Sequence, residues 1–179
     1  MNLDLAVNIF IANNVTPTLA SIGNIISTIG GTAITLGLGI VIGIVFILRK
    51  KWREGLIFVI SVVSTGAITI CMKNFIMRAR PDNALQLIIG DPSFPSGHAA
   101  LATTFFFAFA YVFAFYIKDP IKRKLLFIVS ILAILLIGFS RIVLNVHWTT
   151  DVIAGWSLGV FCTGLTILII NRIFRNKFV

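Results

Sequence analysis

The sequence predicts an all-α fold, a polytopic bundle of transmembrane helices, and three observations predict it. The 179 residues are 58% hydrophobic and 12% charged, with a mean hydropathy of +1.03, whereas soluble domains lie nearer half apolar and a quarter charged. The apolar residues gather in five runs, each long enough to cross about 30 Å of hydrocarbon. The short alternating strands of a membrane barrel do not occur, and a backbone in lipid must satisfy its own hydrogen bonds, which leaves helices. This composition excludes a disordered chain, a disulfide scaffold and a nucleic-acid domain that is merely basic. Cys71 and Cys162 both lie inside apolar runs, so they suggest neither a disulfide framework nor a zinc cluster. Residues 1–179 read as one integral-membrane domain.

The first element is a short helix over Leu3–Ala12. Leu3, Ala6, Val7 and Phe10 follow helical spacing, while Asp4, Asn8 and Asn13 interrupt a spanning segment. It is expected to lie in the membrane interface as an amphipathic helix. A cleaved signal peptide would need a basic leader, which these residues lack. Pro17 breaks the chain before the first span. The five spans follow at Ile29–Leu48, Gly55–Met72, Ala99–Ile117, Leu125–Leu144 and Val152–Ile170.

The formal charge of +9 is distributed unevenly. Arg49, Lys50, Lys51 and Arg53 separate spans one and two, and Lys118, Lys122, Arg123 and Lys124 separate three and four. Arg172, Arg175 and Lys177 close the fifth. With five crossings these clusters share one face, which the positive-inside bias makes cytoplasmic. The remaining cations, Lys73, Arg78, Arg80 and Arg141, fall at the opposite ends of the spans, together with both histidines, His98 and His147. Each alone could be an interface anchor. Six at one level read as an anion site on the extracytoplasmic face of a multi-pass cell-membrane protein.

Three segments carry them. In Lys73-Asn74-Phe75-Ile76-Met77-Arg78-Ala79-Arg80-Pro81 the seven-residue spacing of Lys73 and Arg80 is about two helical turns, and Pro81 is expected to stop the helix there. In Phe94-Pro95-Ser96-Gly97-His98 Ser96 is a natural N-cap and Gly97 permits close backbone approach. The amides and positive dipole end of span three would face an anion, within reach of His98 as a proton donor. In Ser140-Arg141 and His147-Trp148-Thr149-Thr150-Asp151 the i, i+4 spacing brings His147 and Asp151 onto one face if the helix starts early. A carboxylate on one ring nitrogen fixes the tautomer and leaves the other as nucleophile or base. Arg141 offers planar donors to phosphate oxygens. Together these groups suit phosphoryl transfer through a covalent intermediate, without a metal or other cofactor.

The three segments resemble the signature of the type 2 phosphatidic acid phosphatase (PAP2) superfamily of membrane lipid phosphatases: Lys-x6-Arg-Pro, Pro-Ser-Gly-His and Ser-Arg-x5-His-x3-Asp, in that order. The resemblance covers 73–151 in detail. It implies that Lys73, Arg80 and Arg141 bind phosphate with Ser96 and Gly97 assisting, that His147 is the nucleophile, Asp151 its partner and His98 the general acid. Arg78 lies outside the signature. The family commonly has six spans, against five and an interfacial helix counted here. The substrates implied are undecaprenyl diphosphate, phosphatidylglycerophosphate or phosphatidic acid, entering laterally past the short loop Asp82–Pro95. Nucleic acid is not an expected partner.

Two other classes compete. A transporter or channel with an outer anion vestibule would need ionisable groups through the midplane, where these spans carry almost none. A vanadium-dependent haloperoxidase would be a larger, soluble protein. The charge distribution predicts opposite sides for the two kinds of loop. Single cysteines replacing Asn83 and Asp119, in a chain lacking Cys71 and Cys162, should react with an impermeant thiol reagent from outside and inside respectively. Reaction from one side would overturn the five-span topology.

Overall fold

A computed structural model describes residues 3–85 and 90–175. The centre of the loop between spans two and three, and Lys177 of the last basic cluster, lie outside the described residues. Those described form seven helices: α1 Leu3–Asn14, α2 Pro17–Ile29, α3 Thr32–Leu48, α4 Trp52–Ile76, α5 Gly97–Ala114, α6 Pro120–Val143 and α7 Thr149–Arg175. Five helical segments are long and apolar enough to cross a membrane, with α2 and α3 forming one of them, Pro17–Leu48. α4 to α7 match the expected spans to within about a turn and a half at either end.

The first span departs from expectation by starting at Pro17 rather than Ile29. Ser21, Asn24, Ser27 and Thr28 dilute the apolar run and hide α2 in the sequence. In the helix, the Ser21 hydroxyl donates to the Pro17 carbonyl at 2.9 Å and that of Thr28 to the Asn24 carbonyl at 2.8 Å, so they impose no unsatisfied polar group. The Thr16 hydroxyl caps the helix by accepting from the Leu19 amide at 3.2 Å, and Pro17 occupies the first turn. The break at Gly30–Gly31 lets α2 pack on α6 while α3 packs on α4 and α5.

α5 is the spine. Of its most apolar window 61% is buried, more than for any other span, and α3, α4, α6 and α7 all pack on it. On its C-terminal half Phe105, Ala108 and Val112 meet Ile57 and Phe58 of α4 and Ile167 and Ile170 of α7. The N-terminal half is drawn in more tightly. A Cβ on Gly155 would lie 2.6 Å from the Ser96 carbonyl oxygen, and one on Gly159 would lie 2.6 Å from that of Ala100. Two small residues four apart let helix backbones touch. The consequence is direct: the Ser96 amide donates to the Asp151 carbonyl at 3.0 Å, which joins the start of α5 to the start of α7. Elsewhere buried polar groups pair across helices, as Thr65 and Thr104 do at 2.9 Å. Outward-facing Ile131, Leu132, Leu136 and Leu168 are exposed and take lipid as their solvent.

α1 packs over the end of α6 and the start of α7, with Val7 and Ile11 against the cluster of Ala99, Ile142 and Val152. Leu5, Ile9 and Phe10 remain exposed, as an interfacial helix requires. Asp4 differs from the polar interruption expected of it, because it is buried.

The glycine contacts give a stability prediction. Gly159→Leu forces side-chain atoms into the α5 backbone and should lower the melting temperature in detergent, by an amount matching 1–3 kcal/mol or more of overpacking. Gly164→Ala, with nothing within 4 Å of the added Cβ, should leave it unchanged or raised.

Candidate active site

The signature residues converge on one cavity of about 540 Å³. Lys73, Arg80, Gly97, His98, Arg141 and His147 line its polar end, and Leu36, Gly66, Ile70 and Leu101 continue it between the helices. Ser96 and Asp151 stand behind this lining, fully buried. The eight candidates therefore form one site, six on its wall and two supporting it.

Lys73 is in the last turn of α4, but Arg80 is not on that helix, which ends before the point set by Pro81. Met77 takes a left-handed conformation, φ 51°, and its amide closes the helix on the Lys73 carbonyl. Residues 78–81 then run across the site. The Ser93 amide binds the Arg78 carbonyl at 2.8 Å, and the Ser93 hydroxyl and the Trp148 indole both donate to the Ala79 carbonyl, at 3.0 and 2.9 Å. Fixing Ala79 from two sides leaves Arg78 and Arg80 as directed arms.

The Arg80 guanidinium donates to the Val146 carbonyl at 2.6 Å and approaches His147 Nε2 at 3.2 Å. Arginine only donates, so this contact requires a lone pair on Nε2 and puts the ring proton on Nδ1. Nδ1 faces Asp151 Oδ2 at 3.5 Å, a long contact of the kind that tightens when a ligand binds. The pair forms although α7 starts at Thr149, so His147 is in the turn before the helix rather than on its face. The contact survives because Asp151 Oδ2 also accepts from the Trp148 amide at 2.9 Å, folding the turn back over the helix start. Burial pushes the His147 imidazolium down to about pKa 4; the Asp151 hydrogen bond opposes this, and Arg80 and Arg141 add to it.

His98 follows Gly97 at the start of α5, whose N-cap is Ser96, the hydroxyl accepting from the Ala99 amide. Arg141, in the last turn of α6, is 3% exposed and donates to the Ser27 hydroxyl of α2. α2 thus supports an arginine of the cavity wall, a role its polar residues gave no hint of.

Two carboxylate partners, Asp91 and Asp4, were not legible in the motifs, and Arg78, expected in the anion site, does not line the cavity. Asp91 accepts from Lys73 Nζ at 2.9 and 3.0 Å and from Arg80 at 2.7 Å. Lys73 also donates to the Pro92 carbonyl. Burial raises the Asp91 carboxyl, but the Lys73 hydrogen bond and the two cations outweigh it and hold it below the usual carboxylate range. Arg78 binds Asp151 Oδ1 at 2.6 Å and Asp4 Oδ2 at 2.7 Å. A basic residue alternating with Arg80 before a proline, and a lone aspartate in an apolar helix, were the available signals. Among the described residues no group of three His, Cys, Asp or Glu side chains could hold a metal ion.

Fold and site together define a multi-pass membrane protein with a cavity lined by Lys73, Arg80 and Arg141 beside a buried histidine–carboxylate pair. Comparison with known proteins gives the family. The PAP2 superfamily matches residues 54–175. Phosphatidylglycerophosphatase B of Bacillus subtilis is 33% identical over 137 residues, 75% of this chain and 67% of that protein. Undecaprenyl-diphosphatase of Sulfolobus acidocaldarius is 30% identical over 135 residues, 72% of this chain and 61% of that protein. The aligned stretch thus spans about two thirds of these relatives. The crystal structure of a transmembrane PAP2-type phosphatidylglycerolphosphate phosphatase from Bacillus subtilis superposes with a TM-score of 0.84 at 30% identity, covering 95% of this chain and 85% of that one. The chain belongs to the PAP2 superfamily, as a membrane phosphatase of that type.

His147 gives a linkage prediction. Its ordinary pKa is 6.5 and its folded value about 4. Between these values the unfolded chain holds the proton and the folded chain does not, so stability present above 6.5 is lost as pH falls through that window. The melting temperature should drop from about pH 7 to pH 5, and His147→Gln should flatten that dependence. An identical slope in the variant would contradict the burial argument.

Proposed function

We propose that the protein hydrolyses a phosphomonoester or diphosphate of a membrane lipid, at the extracytoplasmic face, through a phosphohistidine on His147. The observation that carries this reading is the convergence of His147, its Nε2 3.2 Å from Arg80, with Lys73, Arg141 and His98 on the wall of one cavity. The cavity's apolar continuation past Leu36, Gly66 and Ile70 suits a lipid tail. The relatives act, by their names, on phosphatidylglycerophosphate and undecaprenyl diphosphate; phosphatidic acid is the third candidate.

In this mechanism the phosphate oxygens lie among Lys73, Arg80 and Arg141, with the α5 N-terminus at Ser96 and Gly97 contributing amides. His147 Nε2 attacks phosphorus while the bond to the lipid oxygen breaks. His98 gives its proton to that oxygen, releasing a lipid alcohol, or a lipid monophosphate when the substrate is a diphosphate. Asp151 balances the positive ring. Water then attacks the phosphohistidine with His98 taking its proton, the P–N bond breaks, and inorganic phosphate leaves. Fixed cations serve where two-metal phosphatases use ions.

The test is phosphate release by purified protein in detergent from a panel of the three lipid classes, with chelator present. Release should persist, vanadate should inhibit it, and rapid quench should trap the phosphoryl group on His147. His98→Ala should lose about 10²–10⁴-fold on a lipid substrate and less on an aryl phosphate, whose leaving group needs less protonation. Activity lost in chelator and restored by magnesium, or a phosphoryl group on His98 that survives loss of His147, would overturn the mechanism.

A further inference from the structure

Arg78 is the one outer-face cation that the phosphate-binding reading does not use, and it has the most exclusively acidic surroundings. Its two terminal nitrogens divide between two carboxylates far apart in sequence. One donates to Asp151 Oδ1 at 2.6 Å and to the Thr150 hydroxyl at 2.7 Å, and the other to Asp4 Oδ2 at 2.7 Å. Asp4 in turn accepts from the Thr150 amide at 2.9 Å and from its hydroxyl at 2.6 Å. Trp148 lies under the guanidinium, 5.4 Å from ring centroid to Cζ. The result is a closed ring of charge-assisted bonds linking α1, the segment after α4, and the first turn of α7.

The two oxygens of Asp151 are thereby given separate work. Oδ1 is taken by Arg78, and Oδ2 is left for His147 Nδ1 and the Trp148 amide. A fully buried carboxylate without Arg78 would keep one oxygen free to rotate towards other donors, and it would bear its whole charge against the imidazole. Asp4 completes the balance: burial raises its carboxyl, but the Thr150 and Arg78 bonds outweigh this and hold it below the usual range. It therefore stays ionised and keeps Arg78 from presenting a full positive charge to Asp151.

We propose that Arg78 is a positioning residue which, held by Asp4 on one side, orients Asp151 towards His147, so that the N-terminal helix α1 is a functional part of the catalytic site. The inference rests on the reading of His147 as nucleophile and goes beyond it, since neither Arg78 nor Asp4 belongs to the signature or faces the cavity.

Charged groups reach His147 from several elements: Asp151 on α7, Arg80 after α4, Arg141 on α6, His98 on α5, Lys73 on α4 and Asp91 in the loop. Residues 3–48, comprising α1 to α3, bring no charge except Asp4. Removing Asp4 or Arg78 therefore changes the potential at His147 in opposite directions with all other groups constant.

The experiment uses the full chain in detergent, with phosphatidic acid micelles as substrate. Asp4→Asn and Arg78→Gln should each lower kcat about tenfold or more while KM stays within about twofold, because neither residue touches substrate. Asp4→Glu and Arg78→Lys should recover part of the loss. The double variant should be little worse than Arg78→Gln alone, as for groups acting in one unit. The acid limb of kcat/KM should move down for Asp4→Asn and up for Arg78→Gln, each by on the order of half a pH unit; the substrate's own ionisation cancels in the difference. Should Arg78→Gln fail to fold, Asp4→Asn, nearly isosteric and on an outer helix, carries the test. His147→Gln separates the two readings: if it retains activity the nucleophile assignment fails, and the inference with it. If it is inactive while Asp4→Asn keeps wild-type kcat and acid limb, only the inference fails.

Discussion

Everything in this structure depends on holding cations together at one end of a membrane bundle. Lys73, Arg80 and Arg141 repel one another, and Arg141 is almost entirely withdrawn from water. A buried, unpaired charge is costly, so each has to be met by a fixed partner or by a ligand. Asp91 meets Lys73 and Arg80, and Ser27, near the end of α2, meets Arg141. Arg78 is met by Asp4 and Asp151. The bundle geometry follows: α1 and α2, which add little to the inner core, pack where these groups need a second side.

Helix packing supplies the precision. The cations come from α4, the segment after it and α6, whereas His98 comes from α5 and His147 from the turn before α7. A positional error between these elements would separate His147 from His98, and groups that react together tolerate errors of only about an ångström. Gly155 and Gly159 remove the side chains that would keep α7 off α5, so the two helix starts are joined by a backbone hydrogen bond, Ser96 to Asp151, rather than by side chains. Glycines at those two positions therefore set the spacing of the two helix starts.

How far the sequence discloses this varies with the kind of signal. The spans were legible because lipid demands long apolar helices, and the eight signature residues because their spacing matches a family pattern. α2 was not legible, since hydroxyls that bond to the preceding turn look polar in a sequence and are neutral in a helix. The early stop of α4 was hidden because a left-handed residue such as Met77 carries no sequence mark, unlike a glycine. His147 was expected on a helix face; a capping carboxylate brings it to Asp151 from the turn instead. The pairings of Asp4, Arg78 and Asp91 were obscure for one shared reason: each spans more than ten residues, and a charge pair of that span has no local period to detect.

Asp91 has a thermodynamic consequence for the proposed substrate. Its carboxylate already takes both donors that a phosphate would take from Lys73 and Arg80, and it is half exposed while they are nearly buried. A bound phosphate would thus exchange one anion for another instead of adding new ion pairs to empty cations. The gain is then a difference: the phosphate's greater charge and its contacts with Arg141 and the α5 amides, less the bonds Asp91 gives up. Such an exchange keeps affinity for the headgroup modest and leaves the apolar branch of the cavity to contribute the rest. It also means that the cations never stand uncompensated between turnovers. That is what allows a cluster of this charge to persist at one end of a helix bundle.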